Sequence, residues 1–121
     1  MSPLVWLGVG LLGGIGALAR FLLDGLIAGR LGRDLPVGTF VINVTGATLL
    51  GLLVGLGFSG DRLVLAGTAT IGSYTTFSTW MLETQRLVED AELGAAAANI
   101  LVSLAVGLGA VALGRVIGSQ L

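Results

Sequence analysis

Charged residues divide this chain into long uncharged stretches. None occurs from 1 to 19, and Arg20, Asp24, Arg30, Arg33 and Asp34 then follow in one group. None occurs from 35 to 60, Asp61 and Arg62 come next, and 63 to 82 is again free of charge. Four acids and Arg86 lie between 83 and 92, and nothing further is charged until Arg115. The uncharged stretches are apolar all round rather than on one face, and about 20 mainly apolar residues let a helix cross a bilayer. The pattern predicts an all-α membrane protein with four spanning helices, at roughly 4–28, 38–57, 63–88 and 93–116, in one domain covering 1–121. "GRLGRDLPVG" reads as the clearest loop, because Pro36 and the glycines disfavour helix and the charges prefer the interface. A soluble four-helix bundle would carry polar outer faces, and these segments have almost none.

Composition sharpens this picture: 55% of residues are apolar and 11% charged, far from the balance of a soluble domain. With no cysteine or histidine, thiolate chemistry, disulfides and imidazole-bound metals are absent, and most nucleophile-plus-base arrangements with them. The chain is not expected to be an enzyme or to use an organic cofactor. A net charge of −1 without a basic stripe speaks against nucleic acid as a partner. "MSPLVWLGVG" lacks the basic start of a signal peptide, so the first apolar segment is expected to remain in the mature protein. Four spans would put Arg62 and Arg115 on one side of the membrane, with Arg30, Arg33, Arg86 and the nearby Arg20 on the other. Arginine asymmetry sets orientation, and so small a difference is compatible with insertion both ways. The two halves show no internal repeat, so inverted symmetry of the transporter kind would need two copies of opposite orientation.

Of 21 glycines, the pairs Gly10/Gly14, Gly25/Gly29, Gly51/Gly55 and Gly114/Gly118 have the GxxxG spacing that lets helices approach closely in lipid. They speak for tight packing and a dimer. Polar residues inside the spans are more informative. Asn43 in "GTFVINVTGATLLG" would cost about 1–3 kcal/mol without hydrogen-bond partners, so it should face protein or water, as interhelical glue or as part of a path. Thr39 lies four residues earlier on the same face, and Asn99 and Ser103 repeat that spacing in the fourth span. Arg20 and Asp24, also four apart, read as an interfacial pair. Glu83 fits an interfacial position or the mouth of a path.

The stretch "IGSYTTFSTWMLET", residues 71–84, crowds hydroxyl residues and two aromatics into the third span. Gly72 weakens the helix, while Ser73, Thr75 and Thr76 compete for backbone hydrogen bonds or cap a new helix start. A helix broken near Gly72 to Thr76 is expected, and at membrane depth its freed backbone groups must meet protein, ions or water. Half-helix ends there are natural ion sites. Phe77 and Trp80, three apart, share a face after the break. Core packing is the bland reading of that pair. Aromatic edges carry partial positive charge, however, and with hydroxyl and amide donors they can replace water around a small anion with no formal cation.

Three segments resemble the Fluc/CrcB family of fluoride channels: "GIGALARF" at 14–21, "PVGTFVINVTGATLLG" at 36–51 and "GSYTTFSTW" at 72–80. The resemblance covers essentially the whole chain. It implies a dual-topology, antiparallel homodimer with two fluoride pores at its interface, in a prokaryotic cytoplasmic membrane, with lipid and a second copy as partners. By position, Asn43 would donate amide hydrogens to fluoride, and Phe77 and Trp80 would contact it edge-on. Thr39, Ser78, Thr79 and Ser103 would supply hydroxyls along the path, with Glu83 at the acidic position beyond the second aromatic and Arg20 near a vestibule. The carbonyls of Gly72 and Thr75, with their symmetry mates, would hold a central structural sodium ion. The family usually has phenylalanine at position 80 and a common glycine at position 73, and Gly107 stands where a further hydroxyl would extend the Asn99/Ser103 track. The function so implied is passive fluoride export conferring fluoride resistance. Two other readings differ in class. A small multidrug-type proton-coupled transporter would need a carboxylate near the middle of its first helix, where this chain has none before Asp24. A purely structural membrane subunit would use its hydroxyls and Asn43 only to hold helices together.

Overall fold

The computed structural model describes residues 1–121 as an all-helical chain. Helix α1 spans Pro3–Leu31. The Ser2 hydroxyl accepts from the Val5 N–H at 3.2 Å, and Pro3 occupies the first turn, where a missing N–H costs nothing. The helix ends at Gly32, whose φ of 76° and ψ of −171° lie in a region that only glycine, lacking a Cβ, enters readily. Helix α2, Val37–Gly55, starts directly after Pro36. A short α3 (Gly60–Leu63) runs into a π-helical segment, Val64–Ile71, and then into α4 (Gly72–Tyr74). Helices α5 (Ser78–Glu89) and α6 (Leu93–Ser119) complete the chain.

Helices α1, α2 and α6 are each long and apolar enough to cross a membrane. The segment between α2 and α6 is a bent helix, interrupted between Tyr74 and Ser78. Gly72 is not itself unwound: its φ of −61° and ψ of −35° are helical. The chain leaves the helix at Thr75, with φ −80° and ψ 164°. A glycine lowers the cost of breaking a helix, but the break falls where a neighbouring side chain takes over the freed backbone groups. The π-helical widening just before it was not foreseen. Thr70 lies within that widening, its hydroxyl donating to the Leu65 carbonyl five residues back at 2.8 Å.

Packing is built on glycine. Helices α2 and α6 form the most extensive pair, in which a Cβ at Gly51 or Gly55 would overlap the carbonyl oxygens of Val111 or Arg115. A Cβ at Gly114 or Gly118 would overlap those of Thr48 or Leu52. Two GxxxG pairs thus face each other across one helix crossing. Gly16 lets α1 rest on the Thr70 carbonyl and the Ser73 hydroxyl, and Gly46 accommodates Thr75. By contrast, Gly10, Gly14, Gly25 and Gly29 on α1 meet nothing in this chain.

Only 17 of the 121 residues are buried, and Ile42 is the one large side chain fully enclosed. Leu4, Leu11, Ile15, Leu18, Phe21 and Leu26 of α1 all remain exposed. So small a core cannot offset the chain entropy of folding in water. This is a multi-pass membrane protein, whose outward-facing leucines find lipid as their solvent.

Candidate functional site

The broken helix is held open by Asn43 of α2. Its Nδ2 donates to the Thr76 carbonyl at 2.8 Å, and its Oδ1 accepts from the Thr76 N–H at 2.8 Å. One amide side chain thus satisfies both backbone polar groups of an interrupted residue, as the hydrocarbon interior demands. The Thr76 hydroxyl then accepts from the Thr79 N–H at 3.2 Å and donates to the Thr79 Oγ1 at 3.1 Å, capping the first turn of α5. Ser73 and Thr75 turn their hydroxyls backward instead, to the carbonyls of Ala69 (2.7 Å) and Ile71 (3.1 Å).

Beyond the break, Phe77 and Trp80 meet edge to face, their centroids 5.7 Å apart and their planes at 86°. Phe77 is 69% exposed, so the pair is not core packing within this chain. Both rings, with Asn43, Gly72, Thr75 and Thr76, line an open groove of about 480 Å³ that contains no charged side chain. The Trp80 indole N–H is already engaged, donating to the Asn99 carbonyl of α6 at 2.8 Å.

Arg20 reaches across from α1 to donate to the Thr75 carbonyl at 3.3 Å. It does not pair with Asp24, as the spacing of the two had suggested. Asp24 bonds Arg33 at 3.1 Å instead, in a largely exposed salt bridge that closes the α1–α2 loop.

The remaining site residues lie elsewhere. Thr39 is buried and donates its hydroxyl to Glu83 Oε1. Glu83 and Thr79 line a separate polar cleft of about 510 Å³, bounded by Asp24, Arg33, Asp34 and Arg86 among others. Ser103 borders an apolar groove with Phe40 and Val102, and Ser78 lies exposed beside the Thr76 hydroxyl at 3.4 Å. Asn43 and the two aromatics are therefore together, Thr39, Thr79 and Glu83 form a second group, and Ser103 stands apart from both. Two residues not singled out as site residues prove central, Thr76 at the break and Thr84 beneath Trp80. Thr76 was legible as a possible cap, whereas Thr84 had only its spacing of four from Trp80 to mark it.

A family model described as "CrcB-like protein, Camphor Resistance (CrcB)" matches residues 7–115. "Fluoride-specific ion channel FluC 2" of Mycobacterium tuberculosis (strain ATCC 25618 / H37Rv) is 56% identical over 115 residues, 95% of this chain and 91% of its own length. The protein of the same name from Mycolicibacterium paratuberculosis is 55% identical over 111 residues, 92% of this chain and 91% of its own. "Fluoride-specific ion channel FluC 1" of Nocardia farcinica is 44% identical over 102 residues, 84% of this chain and 72% of its own. The matched span takes in all but the first turn of α1, all of α2 and the broken helix, and nearly all of α6, and the chain belongs to the CrcB family.

Proposed function

We propose that this protein is a fluoride-selective passive channel that exports fluoride across a prokaryotic cytoplasmic membrane. The observation that carries the reading is the joining of Asn43, the opened backbone at Thr76 and the Phe77–Trp80 pair in one uncharged groove. One Asn43 N–H is spent on Thr76, and the other is free to donate to an ion. Ring edges add partial positive charge without a fixed cation, so a strongly hydrated small anion exchanges water for oriented donors and is not trapped. Fluoride enters acidified cells as neutral HF and ionises at the higher internal pH. An inside-negative potential favours anion exit by about 2.3 kcal/mol per charge per 100 mV, so no energy source beyond the potential is required.

The groove is open on one side and α1 carries unpartnered glycines. Both features support an antiparallel homodimer in which a second, inverted copy closes two pores, and the weak arginine asymmetry allows each orientation. The carbonyls of Gly72 and Thr75 have the hard-oxygen chemistry that suits sodium. Arg20 occupies part of the Thr75 carbonyl's acceptor capacity, and two oxygens from one chain leave the shell incomplete. A structural sodium at the dimer centre therefore rests on the second copy's carbonyls, and its part would be to neutralise the paired half-helix ends.

The test is fluoride efflux from proteoliposomes, read with a fluoride electrode beside a chloride control. Potential-driven loss of fluoride with chloride retained is the expected result. Retention of fluoride by folded, dimeric protein would leave the structural-subunit reading in its place.

A further inference from the structure

Asn99 is buried in α6, and its spacing from Ser103 makes it look like a donor on an ion path. Its hydrogen bonds point the other way. Nδ2 donates to the Thr84 hydroxyl at 2.8 Å and, more weakly, to the Trp80 carbonyl at 3.4 Å. Thr84 Oγ1 in turn donates to that same carbonyl at 2.9 Å. A hydroxyl has one proton, and Thr84 spends its own on Trp80. The Asn99 atom that faces both this hydroxyl and the Trp80 carbonyl is accordingly assigned as the N–H₂ group, since a carbonyl can only accept. The Trp80 indole closes the ring of bonds by donating to the Asn99 carbonyl.

We propose that Asn99 is a positioning residue, which with Thr84 clamps α5 onto α6 and so holds Trp80 edge to face with Phe77. Both Asn99 amide hydrogens are turned toward α5, and the permeating ion receives neither. Tryptophan at position 80 is thereby accommodated rather than obstructive, because its extra polar atom is bonded on the side facing α6 while its ring still lines the groove. This inference rests on the reading of the aromatic pair as the ion's station.

Fluoride efflux from proteoliposomes is measured for the unsubstituted protein, Asn99→Ala, Thr84→Val, Thr84→Ser and the double variant Asn99→Ala/Thr84→Val. Trp80 emission anisotropy is followed in parallel in a Trp6→Phe background. Absence of efflux from the unsubstituted protein would overturn the channel reading itself, and is thereby distinguished from failure of the clamp. With efflux present, Asn99→Ala and Thr84→Val should slow it by a similar factor, about tenfold, and lower Trp80 anisotropy, while Thr84→Ser restores both. Independent residues give losses that multiply to within about twofold, whereas one clamp makes the double variant no worse than either single variant. A loss on Asn99→Ala with none on Thr84→Val, or losses that multiply, would overturn the proposal and make Asn99 a pathway donor. Unchanged efflux and anisotropy in both single variants would overturn it as well. Should the substitutions prevent folding, hydrogen exchange of the Trp80 indole N–H in the unsubstituted protein decides: slow exchange supports the clamp, and exchange at the rate of an unbonded indole refutes it.

Discussion

Asn43 on α2 and Thr76 in the interruption between α4 and α5, 33 positions apart in sequence, are joined by two hydrogen bonds of 2.8 Å that satisfy the backbone of the break. The relationship explains how irregular backbone persists in a membrane-spanning bundle, its freed groups taken up by a side chain of a neighbouring helix. The same side chain that holds the break open also lines the groove.

Asn43→Ala should therefore do two things at once. Loss of the pair leaves a buried N–H and C=O without partners, at about 1–3 kcal/mol for each unsatisfied group, and it removes the remaining amide donor from the groove. Lower thermal survival of the folded protein in detergent is expected, together with loss of fluoride efflux. Asn43→Asp keeps the acceptor for the Thr76 N–H but loses the donor to its carbonyl, and should be impaired in both assays.

Phe77 offers the opposite case. Its ring is 69% exposed in the chain, so Phe77→Ala should shift single-chain stability by only about 0.5 kcal/mol, as surface substitutions do. Fluoride efflux should nevertheless fall by at least about tenfold, corresponding to 1.4 kcal/mol. Efflux at the unsubstituted rate would remove Phe77 from the path.

The glycines separate into two classes by what surrounds them. Gly114→Leu drives a side chain into the Thr48 carbonyl and the Leu52 amide of α2, so the α2–α6 crossing must open and folded protein should be lost. Gly10→Ala meets open space and should leave the fold of the chain intact. Size-exclusion profiles of the two variants, run beside a heat challenge, distinguish these outcomes. A shift of Gly10→Leu from dimer to monomer would place α1 at the interface between copies.

The Thr75 carbonyl accepts from Arg20, and hydrogen bonds to charged groups contribute roughly 1.5–3 kcal/mol. Arg20→Met should lower stability within that range and slow efflux, with Arg20→Lys recovering only part because a point charge on a flexible stem replaces a planar fork. The proposed sodium site makes a separate prediction. Exchange of sodium for N-methylglucamine should weaken the dimer and slow efflux, and an unchanged sedimentation profile would remove the ion from the account.

Much of this arrangement was legible along the chain. Charge-free stretches mark α1, α2 and α6 because a bilayer tolerates few ionised groups, and that constraint acts on composition alone. Crowded hydroxyls between 73 and 79 marked the interruption for the same reason, since freed backbone needs local partners. The spacing of Gly51/Gly55 and Gly114/Gly118 indicated close helix contact. Which glycines meet which was decided only when α2 and α6 crossed, because a GxxxG pair carries no address for its partner. Within the expected window of Gly72 to Thr76, the point of departure at Thr75 was decided only in the fold, where Asn43 on another helix takes up the backbone groups of Thr76. Arg20 was expected to pair with Asp24, four residues on, and the Thr75 carbonyl came within its reach only in the fold. The Thr75 carbonyl prevailed because a broken helix leaves a bare acceptor, whereas Asp24 had Arg33 within reach. Asn99 and Thr84 show the same division most clearly. Local sequence states that a polar residue is present in a span, but only the packed helices determine whether its donors face an ion or another helix, because hydrogen bonds are directional and their partners are brought together by the fold.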